Sequence, residues 1–156
     1  MAAVPISEDR LREVLAEYLA ILQRHPSAEE MMAAILTEDF ETGFVGGHLW
    51  RGLEGLRDFL SQRDGFFDEH HEVKDVLELE GSGEQAEAKT RLEFFLRGPE
   101  GPEKPSREFT GSAFHTWRVR LVDRKWRVAA QLVDGFDDLN DNAKELFSTP
   151  DEGLKR

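Results

Sequence analysis

The second half of the chain is written in period two. Four stretches, "HEVKDVLELEG", "EQAEAKTRLEFFLRG", "SREFTGSAFHTWRVRLV" and "RKWRVAAQLVDGF", alternate polar with apolar residues, and the turn signals "GSGE", "GPEGPEKP" and "VDRK" separate them. Alternation sends successive side chains to opposite faces of a strand, so each stretch reads as a strand with one apolar face. Strands joined by connections this short pair antiparallel, and the result is a meander of four long strands. Such a sheet folds only if something covers its apolar face.

The first half supplies the cover. "ISEDRLREVLAEYLAILQRH" opens on Ser7 as N-cap with acidic residues in the first turn, and Leu11, Val14, Leu15, Tyr18, Leu19 and Leu22 recur at helical spacing before Pro26. "SAEEMMAAILTEDF" starts a second helix, capped by Ser27 with Glu30 three residues on and with Met31, Ala34 and Ile35 on its apolar side. "DFETGFVGGHLWRG" reads as a short strand pair turning at Gly46 and Gly47, and "GLEGLRDFLSQRDGF" as a third helix with Leu53, Leu56, Phe59 and Leu60 along one side. Helices first and strands last predict an α+β domain, with three N-terminal helices packed on a curved antiparallel sheet. One domain over residues 1–156 is expected, with its core over about 7–138 and a polar tail at 139–156 that has room for one short helix.

Charge narrows the partners. A net charge of −12 argues against nucleic acid and anionic membrane surfaces, which need clustered Lys and Arg. No stretch approaches the ~20 apolar residues of a membrane span. The first residues lack a charged start followed by an apolar run, so neither secretory signal nor anchor is expected, and the chain reads as cytoplasmic. Zero cysteines excludes disulfides, thiol catalysis and thiolate metal sites. No glycine-rich phosphate loop follows a strand, and no His, Asp and Glu set has metal-binding spacing, so neither cofactor nor metal is expected.

The stretch "YLAILQRHPSAEEMMAAILTEDFETGFVGGHLWRGLEGLRDFL", followed by "AEAKTRLEFFLRG" and "KWRVAAQLVDGF", resembles the SnoaL-like branch of the NTF2-like superfamily over about residues 7–138. The resemblance implies a cone whose helices and curved sheet enclose an apolar pocket for a small cyclic or polycyclic molecule, and a homodimer formed through the outer sheet face. The superfamily holds ketosteroid isomerases, scytalone dehydratases, polyketide cyclases, dehydrochlorinases, epoxide hydrolases and non-catalytic binding proteins. Function is therefore carried by pocket residues, not by fold.

Dehydratase and dehydrochlorinase relatives place a general-base histidine where "EHHEV" stands, which implies His71 as the base. Imidazole suits that task because its pKa lies near neutrality. Alternation puts His71 on one face with Val73 and Leu77, with His70 on the other. Tyr18, the sole tyrosine, matches the first-helix tyrosine that steadies a substrate oxygen in the isomerases and dehydratases. Those relatives carry an Asp near the end of the first helix that is missing from "RHPSAEE"; Asp134, in line with Trp126, Val128, Ala130 and Leu132, is the expected substitute for orienting His71. His115, which alternates with Ala113 and Trp117, and Phe44, where the isomerase has its base, are expected at the pocket, with Trp50 closing its mouth.

The expected activity is a cofactor-free lyase, isomerase or cyclase working by proton abstraction. One alternative is a non-catalytic ligand-binding or dimeric interaction module. Another is a limonene-type epoxide hydrolase built on Arg91, Glu93 and Asp134, which requires a bulge to turn Arg91 and Glu93 inward from a face shared with Glu87, Lys89 and Arg97.

Overall fold

The structure, a computed structural model, describes residues 5–63, 65–98 and 107–147. The part of the "GPEGPEKP" turn beyond Gly98 and the tail beyond Phe147 lie outside the described residues.

Helix α1 (Glu8–Gln23) and helix α2 (Ala28–Ile35) begin where the caps predict. Ser7 Oγ accepts from the Arg10 N–H at 3.1 Å and Ser27 Oγ from the Glu30 N–H at 3.1 Å, each satisfying one of the open donors at a helix start. His25, in the turn between them, has φ 52. Strand β1 (Leu36–Phe44) follows α2 without a loop, and Arg127 Nη1 closes the helix end by donating to the carbonyls of Met32, Ala33 and Leu36. Strand β2 (Leu49–Arg51) returns antiparallel to β1, and helix α3 (Gly52–Ser61) leads to the meander. Gly43, at φ 147, is required in this hairpin: a Cβ there would stand 2.2 Å from the His48 carbonyl oxygen.

The meander comprises β3 (Phe67–Gly81), β4 (Gln85–Gly98), β5 (Arg107–Val122) and β6 (Lys125–Asp137), and helix α4 (Asp141–Phe147) follows. One six-stranded sheet has the order β2-β1-β6-β5-β4-β3. The early hairpin thus joins the far side of the last strand, and β1 runs parallel to β6. Sequence alternation predicts an antiparallel sheet and does not reveal this parallel pair, because it is made between residues almost a hundred apart. The fold is the expected α+β arrangement: helices pack on one face of a curved, unclosed sheet.

The inner face of β4 is a strict alternation of buried Ala86, Ala88, Thr90, Leu92, Phe94 and Leu96. Against this straight ruler, β3 is bulged three times, at Asp68–Glu69, at Lys74 and at Leu77. Each bulge adds one residue and resets which side chains point inward. After the second bulge Val76 faces Thr90 and after the third Leu79 faces Ala88, while Leu77, expected on the inner face with His71, is 54% exposed. Strand β6 is bulged at Ala129 and at Asp134 relative to β5. The first bulge brings Gln131 opposite Trp117 and Val133 opposite His115, on the inner face, and turns Ala130 and Leu132 outward.

Candidate active site

Between the helices and the inner sheet face lies a cavity of about 110 Å³, lined mainly by apolar side chains including Leu22, Phe44, Phe94 and Phe136. Its polar lining is Thr42, Arg63, His71, His115 and Gln131. A volume of this order approaches the ~150 Å³ that encloses a benzene ring, so the space is of the size for one ring.

His71 reaches the cavity because it stands opposite Phe94 on the inner face. Glu69, two residues earlier, points the same way, and its side chain is 0% exposed. Three cationic or potentially cationic groups converge on it. Arg63, from just beyond α3, forms an ion pair with Oε1, His71 Nε2 stands 3.4 Å from that same oxygen, and His25 Nε2 is 2.5 Å from Oε2. The backbone N–H of His71 donates to Gln23 Oε1 at 2.6 Å, tying this part of β3 to the end of α1.

Burial by itself raises the Glu69 pKa, but the His71 hydrogen bond and the charges of Arg63, His71 and His25 outweigh it, so the carboxyl is held below its usual range. His71 is pushed below its usual value, chiefly by burial, against the opposing pull of Glu69. At neutral pH the set is therefore a guanidinium, a carboxylate and a neutral imidazole. With Nε2–H directed at Glu69, the lone pair of His71 lies on Nδ1.

A second polar line runs from behind the cavity wall into its lining. Tyr18 Oη donates to Gln131 Oε1 at 2.6 Å, and Gln131 Nε2 is 3.2 Å from His115 Nε2. Tyr18 is fully buried and is not part of the cavity lining, so the structure brings Gln131 and His115 to the space where Tyr18 itself was expected. Burial raises the Tyr18 pKa and keeps its hydroxyl protonated. Burial, and next the like charge of His71, push His115 down to about 3.

The other expected residues are distributed differently. Phe44 lines the cavity. Trp50 packs against His48 and Phe59, with ring centroids 4.5 and 5.4 Å away, as part of the core beneath α3. Asp134 is a correction: the bulge at Ala129 shifts the alternation by one, so Asp134 points outward and accepts from Thr116 Oγ1 at 2.6 Å. It is not brought together with His71; Glu69 holds the position beside that imidazole. Arg91 and Glu93 also face outward, paired with Asp138 at 2.9 Å and Lys74 at 3.6 Å. The β4–β5 register runs unbroken from Gln85 to Gly98, so the inward-turning bulge that an epoxide hydrolase needs of this pair is absent.

Glu69, Arg63 and Gln131 were missed by sequence reasoning. Glu69 had a signal, its i, i+2 spacing to His71, which shares a strand face. Arg63 and Gln131 had none, since a loop trajectory and a bulge place them. Among the described residues no group of three or more His, Asp and Glu is arranged to hold a metal ion, and no helix is long and apolar enough to cross a membrane.

The profile of the SnoaL-like domain matches residues 6–131. No curated protein matches the chain. Solved structures share the fold at low identity. A type 2 hexachlorocyclohexane dehydrochlorinase superposes with TM-score 0.66 at 16% identity, covering 83% of this chain and 84% of its own. A candidate scytalone dehydratase from Novosphingobium aromaticivorans DSM 12444 gives 0.64 at 18%, covering 84% of each chain. A protein of unknown function with a cystatin-like fold from Nostoc punctiforme PCC 73102 gives 0.62 at 21%, covering 86% of this chain and 96% of its own.

Proposed function

Because this chain belongs to the SnoaL-like domain family, we propose that it is a lyase or isomerase that removes a carbon-bound proton from a small ring compound, using side chains alone. The observation that carries this reading is the buried Glu69 carboxylate beside a neutral, cavity-lining His71. Nδ1 of His71 takes the proton, and the imidazolium that forms is stabilised by Glu69, itself anchored by Arg63. The electron pair left on carbon either expels a leaving group from the neighbouring carbon or moves through a conjugated system that is reprotonated elsewhere. His71 then returns its proton to the leaving group or to the new carbon position. The mainly apolar lining lowers the local dielectric and so strengthens the dyad's electrostatics.

The relatives' names, a dehydrochlorinase and a candidate scytalone dehydratase, agree with this class of chemistry. The test is deuterium uptake and elimination in D2O, followed by NMR, over a panel of single-ring ketones, β-hydroxy ketones and chlorinated cyclohexanes. A general base contributes ~10²–10⁴-fold, so His71→Ala should slow the reaction by that factor. Undiminished turnover in His71→Ala would overturn the reading. Ring binding without any proton exchange in the wild type would leave a ligand-binding protein instead.

A further inference from the structure

His115 has one ring nitrogen whose hydrogen-bonding capacity is unused. Its Nε2 meets Gln131 Nε2 at 3.2 Å; its Nδ1 is buried with no hydrogen-bond partner among the described residues. Buried polar atoms are normally paired, so such a vacancy in a side chain that lines the cavity needs an explanation.

The direction of the Gln131 amide follows from distances. The 2.6 Å separation from Tyr18 Oη is that of an O–H···O bond and lies below the usual N–H···O range. Thr42 Oγ1 approaches the same atom at 3.5 Å, a second hydroxyl in need of an acceptor. Gln131 therefore turns its oxygen to the two hydroxyls and its NH2 to His115. An amide N–H only donates, so His115 Nε2 accepts. A neutral imidazole carries one N–H, which leaves the hydrogen on Nδ1.

We propose that His115 is the ligand-recognition residue of the cavity, held by the Tyr18–Gln131 chain as the Nδ1–H tautomer, and that it selects ligands offering an acceptor oxygen such as a ring carbonyl or ether. The chain is directional: Tyr18 polarises Gln131, which polarises His115, and each donor is strengthened by the one behind it. A ligand lacking the oxygen leaves Nδ1–H unpaired, as it is now. Because His115 stays neutral across the physiological range, the donor does not turn into a charge. This names the ligand class for the cavity whose chemistry is proposed above, but recognition at His115 does not depend on proton abstraction by His71.

The experiment is two-bond 1H–15N NMR of the histidine rings of the full chain at pH 7, alone and titrated with cyclohexanone or its isostere methylenecyclohexane. The wild type should show His115 in the Nδ1–H form, and Tyr18→Phe and Gln131→Met should abolish that single-tautomer signal. Cyclohexanone should shift the Nδ1–H resonance and bind about 10- to 100-fold tighter than methylenecyclohexane, the factor expected for one buried unpaired donor. An Nε2–H pattern in the wild type would overturn the proposal whatever the variants do. So would equal affinity for the two probes, or failure of cyclohexanone to move the Nδ1–H resonance. Failure of deuterium exchange, by contrast, would remove the proton-abstraction reading and leave the tautomer and the ketone preference standing.

Discussion

Glu69 and His71 stand side by side on the inner face of β3, with Glu69 Oε1 3.4 Å from His71 Nε2. Only one residue separates them, so a single strand holds both, and the bulge at Asp68–Glu69 together with the Gln23 contact sets their depth. Glu69→Gln keeps the shape and removes the anion. His71 then loses the group that pulls its pKa up and keeps both its burial and the positive charge of Arg63, so its titration should move further below the ordinary histidine value. Proton abstraction should slow by ~10²-fold or more. NMR titration of His71 in wild type and variant measures the first; an unmoved curve would show that the two groups are uncoupled.

Arg63 is the countercharge for a carboxylate whose side chain is 0% exposed. Arg63→Met should therefore destabilise the protein by about 3 kcal/mol, the lower end for breaking a buried pair by removing one partner. Combining it with Glu69→Gln removes the stranded charge and should recover much of the loss. Urea unfolding of the two singles and the double gives the coupling energy; strict additivity would contradict the pairing.

Acid should weaken the fold through its buried histidines. His115, at about 3, and His71 are both held below their unfolded value in the folded chain. Between that unfolded value, ~6.5, and the folded ones, the unfolded chain binds more protons, so stability falls as pH drops through this window and is complete above it. Urea midpoints should decline from about pH 6.5 downward, and His115→Gln should flatten the slope; an equal slope in that variant would place the acid sensitivity elsewhere.

Asp134 points away from the cavity and accepts from Thr116. Asp134→Asn should leave the rate of deuterium uptake within about twofold, the range expected of a surface change remote from the chemistry. The same holds for Arg91→Gln and Glu93→Gln, whose partners are Asp138 and Lys74 on the outer face. A large loss of rate in any of the three would require a second polar site reaching the substrate.

Thr90 accepts the Trp117 indole N–H at 2.8 Å in the core. Thr90→Val keeps the volume and strands that donor, at a cost of about 1–3 kcal/mol. Thermal or urea unfolding measures it, and a neutral effect would mean that the indole finds another acceptor.

Much of the architecture was legible in the residues. Ser7 and Ser27 mark helix starts because a hydroxyl beside an open N–H is a local arrangement. The alternation of β4 was readable from end to end because nothing interrupts its pairing with β5. The inward facing of His71 was legible too, since it lies before the bulges at Lys74 and Leu77 intervene. Leu77 and Asp134 were placed on the wrong face for one reason: each lies at or beyond an inserted residue that inverts the count.

What the sequence by itself determined are the properties set within a few residues of chain: helix caps, the apolar stripe of α1 and strand periods. What only the tertiary structure decided are the properties set between distant segments: the parallel pairing of β1 with β6, the bulges of β3 and β6, and the partners of Glu69 and Gln131. A strand's side-chain period is two, so one extra residue exchanges inside for outside. Whether that residue is inserted depends on the register against the neighbouring strand. Long-range pairing, more than composition, thus put Gln131 in the cavity lining and Asp134 in contact with Thr116 on the opposite face.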